Sequence, residues 1–272
     1  MMAQRFRYCW LVIVCVAVTF LAAAPCDAAG RVSAKAAIFS NSTKSKRYYG
    51  KNVHMRVPAA STVKIMTALL TLEHLPLDRV VTVSRAAMGV EPSKIYVRAG
   101  ETYRVRDLLY ALLLNSANDV AIVLAEAVGG SQDNFVRMMN KRARQLGARR
   151  TKFANANGLP SRRRQYSTPY DMYLIFRQAL KHPFFRHAVN KTEQTIFSRE
   201  GRRIHLESHN KILFKDWRRD VYGKTGWTIR AKQCFVGYVM KGQDVCIISL
   251  YGATRRWQDI KYIISHYGGI RL

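Results

Sequence analysis

Ser61-Thr62-Val63-Lys64-Ile65-Met66-Thr67-Ala68-Leu69-Leu70-Thr71-Leu72-Glu73-His74-Leu75 is the most strongly patterned stretch of the chain. Ile65, Leu69 and Leu72 recur at helical spacing with Met66 and Leu70 beside them, so residues 61–75 read as a helix. Pro58 ends the approach and Pro76 blocks continuation. Ser61 and Lys64, three residues apart, share a face of that helix. Ser61 falls at its N-terminal end, where exposed N–H groups and the helix dipole favour an oxyanion. A lysine activates a hydroxyl only when neutral, so burial or a neighbouring cation must lower its proton affinity.

Residues 36–40 and 47–53 precede this helix as two short strands around a polar turn at 41–46. Residues 80–104 read as a mixed loop, and 105–114, 118–128 and 131–146 as three helices, the last two stopped by glycines. Residues 155–164 form a Gly/Pro/Arg loop. Thr168-Pro169-Tyr170-Asp171 then opens a helix to about residue 181, with Thr168 as N-cap and Pro169 at the first helical position. A strand is expected at 194–199, a short helix at 205–210, strands from 222 to 251 and a closing helix at 257–267. Strands at both ends with helices between them predict an α+β domain. Its antiparallel sheet joins N- and C-terminal strands, is flanked by helices, and faces a helical lobe across a cleft.

The chain has 272 residues, 45 Lys+Arg against 17 Asp+Glu, a net charge of +28 and 49% hydrophobic residues. This excludes a disordered basic tail and a multi-domain machine. The one long apolar run, residues 10–24, follows Arg5 and Arg7 and ends in small residues, as a secretory signal does. We read residues 1–28 as a signal peptide and 29–272 as the catalytic domain. An uncleaved segment would instead be an N-terminal anchor. Losing Arg5, Arg7 and Asp27 leaves 43 basic against 16 acidic residues, or +27, so the export segment does not explain the charge. The exported chain keeps Cys234 and Cys246. In a hairpin with Lys241 facing Asp244, Cys234 falls opposite Tyr251 and Cys246 opposite Val239, roughly 16 Å apart along the strands. A disulfide needs Cα atoms within about 7 Å, so two buried free thiols are expected. Neither CxxC nor HExxH is present, and His205, Glu207 and His209 read as one polar helix face, so neither metal nor cofactor is expected.

Three motifs occur in order: Ser61-Thr62-Val63-Lys64, Ser116-Ala117-Asn118 and Lys224-Thr225-Gly226. The set is that of serine β-lactamases and penicillin-binding proteins. Lys224 and Thr225 on a strand edge can grip a carboxylate. Gly226 admits a substrate backbone, and an extended peptide can pair with the strand. The flanking residues extend the match. The stretch from Arg56 through Thr67 resembles the nucleophile region of the D-alanyl-D-alanine carboxypeptidases, the low-molecular-weight penicillin-binding proteins. Similarity continues through 107–119, 135–140, Asn157-Gly158-Leu159, 166–171 and Gly223-Lys224-Thr225-Gly226-Trp227-Thr228.

The resemblance implies a penicillin-binding protein/β-lactamase-like fold and a serine-type D-Ala-D-Ala carboxypeptidase. Ser61 would attack the carbonyl between two D-alanines of a peptidoglycan stem peptide, with Lys64 as base. Ser116 would relay a proton to the leaving D-alanine, and Asn118 would hydrogen-bond the substrate amide. Lys224 would support charge in the site, Thr225 would bind the terminal carboxylate, and the backbone N–H groups of Ser61 and Trp227 would hold the oxyanion. β-Lactams would acylate Ser61 as covalent inhibitors.

Two departures stand out. Ala231-Lys232-Gln233-Cys234 replaces the family's usual Ala-Gly-x-Cys and is expected to put a cation beside the cleft. With the sequence ending at Leu272, the further β-rich domain and C-terminal anchor of many relatives are not expected. Alternatives are a D-Ala endopeptidase cutting cross-links, which the motifs do not separate, and a β-lactamase of the same fold. Against the latter, none of Glu126, Glu193, Glu200 and Glu207 sits in the E-x-x-L-N pattern used for deacylation. A non-catalytic envelope-binding protein is disfavoured by the intact motifs. The basic runs at 142–144, 149–150 and 162–164 lack interleaved aromatics, so no nucleic acid is expected. They read as a solvated face held against anionic envelope polymers. Arg255 and Arg256 read as surface charge.

Overall fold

A computed structural model describes residues Val32–Leu272; the expected export segment at 1–28 lies outside the described residues. The core element is one antiparallel five-stranded sheet in the order β2-β1-β9-β8-β7. Its strands are β1 (Ala36–Asn41), β2 (Lys46–Lys51), β7 (Tyr222–Thr228), β8 (Lys232–Lys241) and β9 (Asp244–Ala253). First and last strands thus share a sheet, as the strand order predicts.

Alternation along the strands sends side chains to two separate cores. Ala36, Ile38, Val236, Tyr238 and Ile247 face the large helical core, whereas Ala37, Phe39, Phe235, Ile248 and Leu250 face the C-terminal helix. In the large core lie α1 (Lys64–His74), α2 (Val105–Leu113), α3 (Asn118–Gly129), α4 (Gln132–Gln145) and α5 (Pro169–Ala179). A 3-10 turn at Ala60–Val63 leads into α1, every residue of which from Lys64 to Thr71 is buried. The helix read as amphipathic is therefore central and covered nearly all round. The expected cap holds, with Thr168 Oγ1 accepting from the Asp171 N–H at 3.0 Å, and Ser131 Oγ caps α4 in the same way, accepting from the Asn134 N–H at 3.2 Å. On the other face, α7 (Arg256–Tyr262) continues into a π-turn at Ile263–Tyr267.

Four local readings are corrected. Residues 80–104, read as loop, contain β3 (Val80–Thr82) and β4 (Thr102–Arg104), paired antiparallel. Residues 205–210 are not a helix: β6 (Arg203–Glu207) pairs with β5 (Glu193–Phe197). Ile204 and Leu206 alternate inward between Arg203, His205 and Glu207, a period of two that three polar residues had masked. A further helix, α6 (Pro183–Asn190), starts directly after α5 with Pro183 in its first turn and buries Phe185, Ala188 and Val189. Finally, Cys246 does face Val239, but a bulge between Gln233 and Phe235 removes Cys234 from register with Tyr251. Both thiols are free and buried, and they belong to opposite cores. Burial pushes Cys234 up to about 12, which leaves it unreactive.

Candidate active site

Ser61 stands on the 3-10 turn beside β7, and its backbone is packed between two glycines. A Cβ on Gly158 would fall 2.0 Å from Ala60 O, and one on Gly226 would fall 3.1 Å from Ser61 N. The loop 157–159 and the strand β7 therefore close on the Ser61 main chain as no larger residue would allow. Ala60 and Ser116 both adopt left-handed backbone, φ 47° and 61°, without being glycine. Such strain gathers where surrounding structure dictates a side chain's aim.

Lys64 is fully buried. Its Nζ lies 3.0 Å from Ser61 Oγ, 2.6 Å from Asn118 Oδ1 and 2.7 Å from Asn157 O. Burial first, and the Lys224 charge second, hold its pKa well below the ordinary lysine value. Lys224, also buried, reaches Ser116 Oγ at 2.9 Å and Thr225 O at 3.0 Å. Burial and then Arg256 lower it to about 7. The two chemical pairs, Ser61–Lys64 and Ser116–Lys224, thus sit side by side with like charges opposed, and a proton on one disfavours a proton on the other.

Asn118 is occupied at both ends. Besides holding Lys64 it donates from Nδ2 to Glu91 O at 2.8 Å, while its backbone N–H donates to Ser93 O at 2.7 Å. Next to it, the buried Asp119 carboxylate accepts the Ile95 and Val97 N–H groups at 3.1 Å each. These bonds fix the loop that brings Pro92 and Ser93 to the rim.

The resulting cleft has a volume of about 400 Å³ and is lined by Ser61, Ser116, Asn118, Thr225, Gly226 and Trp227. Lys64 and Lys224 lie directly behind. All eight residues singled out from the motifs therefore converge. Among the described residues no carboxylate side chain lines the cleft.

Two lining residues were missed. His209 enters from the segment after β6, its backbone N–H on Leu114 O at 3.1 Å. Burial, then the charges of Lys224, Lys211 and Lys64, lower its pKa to about 4, so the imidazole is neutral. Its expected companions go elsewhere: His205 faces Glu193 at 3.6 Å and Glu207 pairs with Lys211. Arg256, read as surface charge, is instead half-buried at the cleft. Its Nη1 donates to Cys234 O at 3.1 Å and lies 3.4 Å from Gly226 O, with the guanidinium 4.0 Å from the Trp257 ring centre. No local pattern marks either residue, because both arrive through long-range packing. Arg255 is exposed, as expected. Lys232 is exposed and does not line the cleft. Its left-handed φ of 56° is the conformation that suits the glycine usual there.

The sequence profile of the D-alanyl-D-alanine carboxypeptidase family matches residues 21–254. The chain belongs to this family. It is 31% identical over 227 residues to the D-alanyl-D-alanine carboxypeptidase DacF of Bacillus subtilis, covering 81% of this chain and 58% of that protein. To DacB2 of Mycobacterium tuberculosis it is 33% identical over 208 residues, covering 76% and 70%. Proteins named D-alanyl-D-alanine endopeptidases are also relatives. The DD-transpeptidase of Streptomyces K15 superposes with a TM-score of 0.80 at 28% identity, covering 88% of this chain and 98% of that one. The fold is therefore that of the penicillin-binding DD-peptidases. The chain spans little more than half the length of DacF.

Proposed function

We propose that the protein is a serine-type D-Ala-D-Ala carboxypeptidase, removing the terminal D-alanine of peptidoglycan stem peptides through an acyl-enzyme on Ser61. The observation that carries this reading is the Ser61–Lys64 pair, 3.0 Å apart with the lysine fully buried and its pKa lowered. Neutral Lys64 takes the Ser61 proton as Oγ attacks the penultimate D-alanine carbonyl. The oxyanion forms toward the N–H groups of Ser61 and Trp227, at the turn that Gly226 lets β7 approach. Ser116, held by Lys224, relays the proton taken up by Lys64 to the departing D-alanine nitrogen as the C–N bond breaks. Water then attacks the ester and returns the proton to Ser61. Asn118 positions Lys64 and faces the substrate amide. Thr225 holds the terminal carboxylate, and Arg256 adds a cation to that end of the cleft.

The absence of a carboxylate from the cleft lining supports a slow release of penicilloyl groups over β-lactamase turnover. We further propose that residues 1–28 direct export and that residues 29–272 act outside the cytoplasm, periplasmic in a two-membrane envelope. The basic surface would be held by anionic envelope polymers, an attraction that a salt titration of envelope retention tests. Among the described residues no helix is long and apolar enough to cross a membrane.

The deciding experiment supplies a D-Ala-D-Ala pentapeptide and a cross-linked muropeptide to the exported form. Free D-alanine from the pentapeptide, lost in Ser61→Ala, is expected. Cleavage of the muropeptide alone would assign the endopeptidase activity, and release from neither would overturn the reading.

A further inference from the structure

Beside the reactive cleft lies a second groove of about 460 Å³, and the two share Gly158, Leu159 and Thr228 in their walls. Five arginines line it: Arg56, Arg162, Arg163, Arg164 and Arg230; among the described residues no acidic side chain does. Arg163 is paired with Asp133 at 2.9 Å, and the Arg56 guanidinium is stacked 4.8 Å from the Tyr166 ring centre. Arg162, Arg164 and Arg230 are exposed and make no ion pair among the described residues. Arg142, in another basic run, is by contrast bound by Glu73 at 2.6 Å. A concave wall of like charges without counter-charges raises the local concentration of anions and is stabilised by binding one.

Strand polarity says which part of a substrate reaches it. On the proposed reading, the terminal carboxylate sits at Thr225 and the scissile carbonyl at Trp227. A peptide antiparallel to β7 therefore runs from its C-terminus at Thr225 toward its N-terminal arm at Thr228 and beyond. β7 ends at Thr228, in the shared wall, and the following turn carries Arg230 into the groove. Arg230 is three residues past Trp227, so even an extended chain at roughly 3.3 Å per residue would put it no more than about 10 Å away, within the reach of a residue two to three positions before the scissile bond.

We propose that this arginine groove is an acyl-side subsite for an acidic peptide. It would bind a substrate carboxylate two to three residues N-terminal to the scissile bond; the position depends on the carboxypeptidase reading, whereas the binding does not depend on turnover. Arg162, Arg164 and Arg230 receive the carboxylate, and Arg56 and Arg163 frame the site. The groove selects for substrates whose stem peptide keeps this acid free.

The test uses the full exported chain with Ser61→Ala and two synthetic peptides ending in D-Ala-D-Ala. They differ only in a carboxylate or a carboxamide on the fourth residue from the C-terminus, and binding is read by calorimetry. The acidic peptide is expected to bind about tenfold tighter, a gap that narrows with salt. Adding R162A, R164A and R230A should close the gap while leaving the carboxamide peptide's affinity unchanged. In the Ser61 background the same three substitutions should leave penicillin acylation intact, which verifies folding. Equal affinities for the two peptides, or a gap that survives the triple variant, would overturn the proposal. So would binding of inorganic polyphosphate that the triple variant loses while the two peptides bind alike, since that assigns the groove to a polymer. If the acidic peptide is preferred but wild type releases no D-alanine from it, the subsite stands and the carboxypeptidase reading fails.

Discussion

The buried carboxylate at the foot of α7 and the buried lysines of the cleft are held in opposite ways. At the foot of α7, the buried Asp259 carboxylate accepts the Ser33 N–H at 2.9 Å, the Ser33 hydroxyl at 2.6 Å and the Ala34 N–H at 2.9 Å. Ser33 Oγ in turn accepts from the Thr254 and Arg255 N–H groups. Each donor meets an acceptor, and the cluster ties the chain before β1 to the end of β9. In the cleft, by contrast, two buried lysines stand against each other with no carboxylate in the wall, and both are depressed. A satisfied buried charge holds structure together. A buried charge set against its own kind is a proton acceptor in waiting, and stability is given up to keep it so.

Substitutions should separate the two. The largest effect is expected in the cleft: Ser61→Ala should abolish penicillin labelling and lower turnover by about 10⁴-fold or more. Lys64→Met should lower acylation by about 10²- to 10⁴-fold, yet leave urea stability equal to or above wild type. A loss of stability in Lys64→Met would break the contrast. At the other place, Asp259→Ala should lower unfolding free energy by about 3 kcal/mol through three orphaned donors, with kcat unchanged when assayed well below the melting transition.

A smaller effect sharpens the role of Arg256. Arg256→Gln should raise KM about tenfold for peptides with a free terminal carboxylate and leave peptides ending in an amide unaffected. Because Arg256 also lowers Lys224, the titration of Lys224 itself should move upward in this variant. An equal KM change for both peptide types would remove Arg256 from carboxylate binding.

The last effect is on stability against pH. Lys64 and Lys224 have folded pKa values below the ordinary lysine value of 10.5, and Lys224 lies at about 7. Above that point the unfolded chain holds more protons than the folded one, so stability rises with pH. Urea midpoints should therefore climb between about pH 7 and about pH 9, and the climb should shrink in Lys64→Met. A flat midpoint in wild type would contradict buried, depressed lysines.

What the sequence made legible was the part with local cause. Helix α1, the cap at Thr168, and the pairing of Cys246 with Val239 each follow from residues within a few positions. The three motifs were readable because each is short and local, two at the start of a helical element and one within β7. The β5–β6 hairpin was hidden because a period-two pattern in five residues resembles one polar helix face. His209 and Arg256 were hidden for a different reason: their neighbours in the cleft lie on distant elements, and nothing adjacent in sequence distinguishes them from surface residues. The bulge at Gln233–Phe235, which displaced Cys234 from its expected partner, is likewise a response to packing.

The central claim is that Ser61 is the nucleophile and a neutral Lys64 its base, and penicillin acylation followed across pH by intact mass tests it most directly. The account predicts a single penicilloyl adduct mapping to Ser61, persistent after free drug is removed. Its rate of formation should rise through a transition well below the ordinary lysine value of 10.5. An adduct on another residue, or a rate that stays flat until the pH nears that ordinary value, would contradict it.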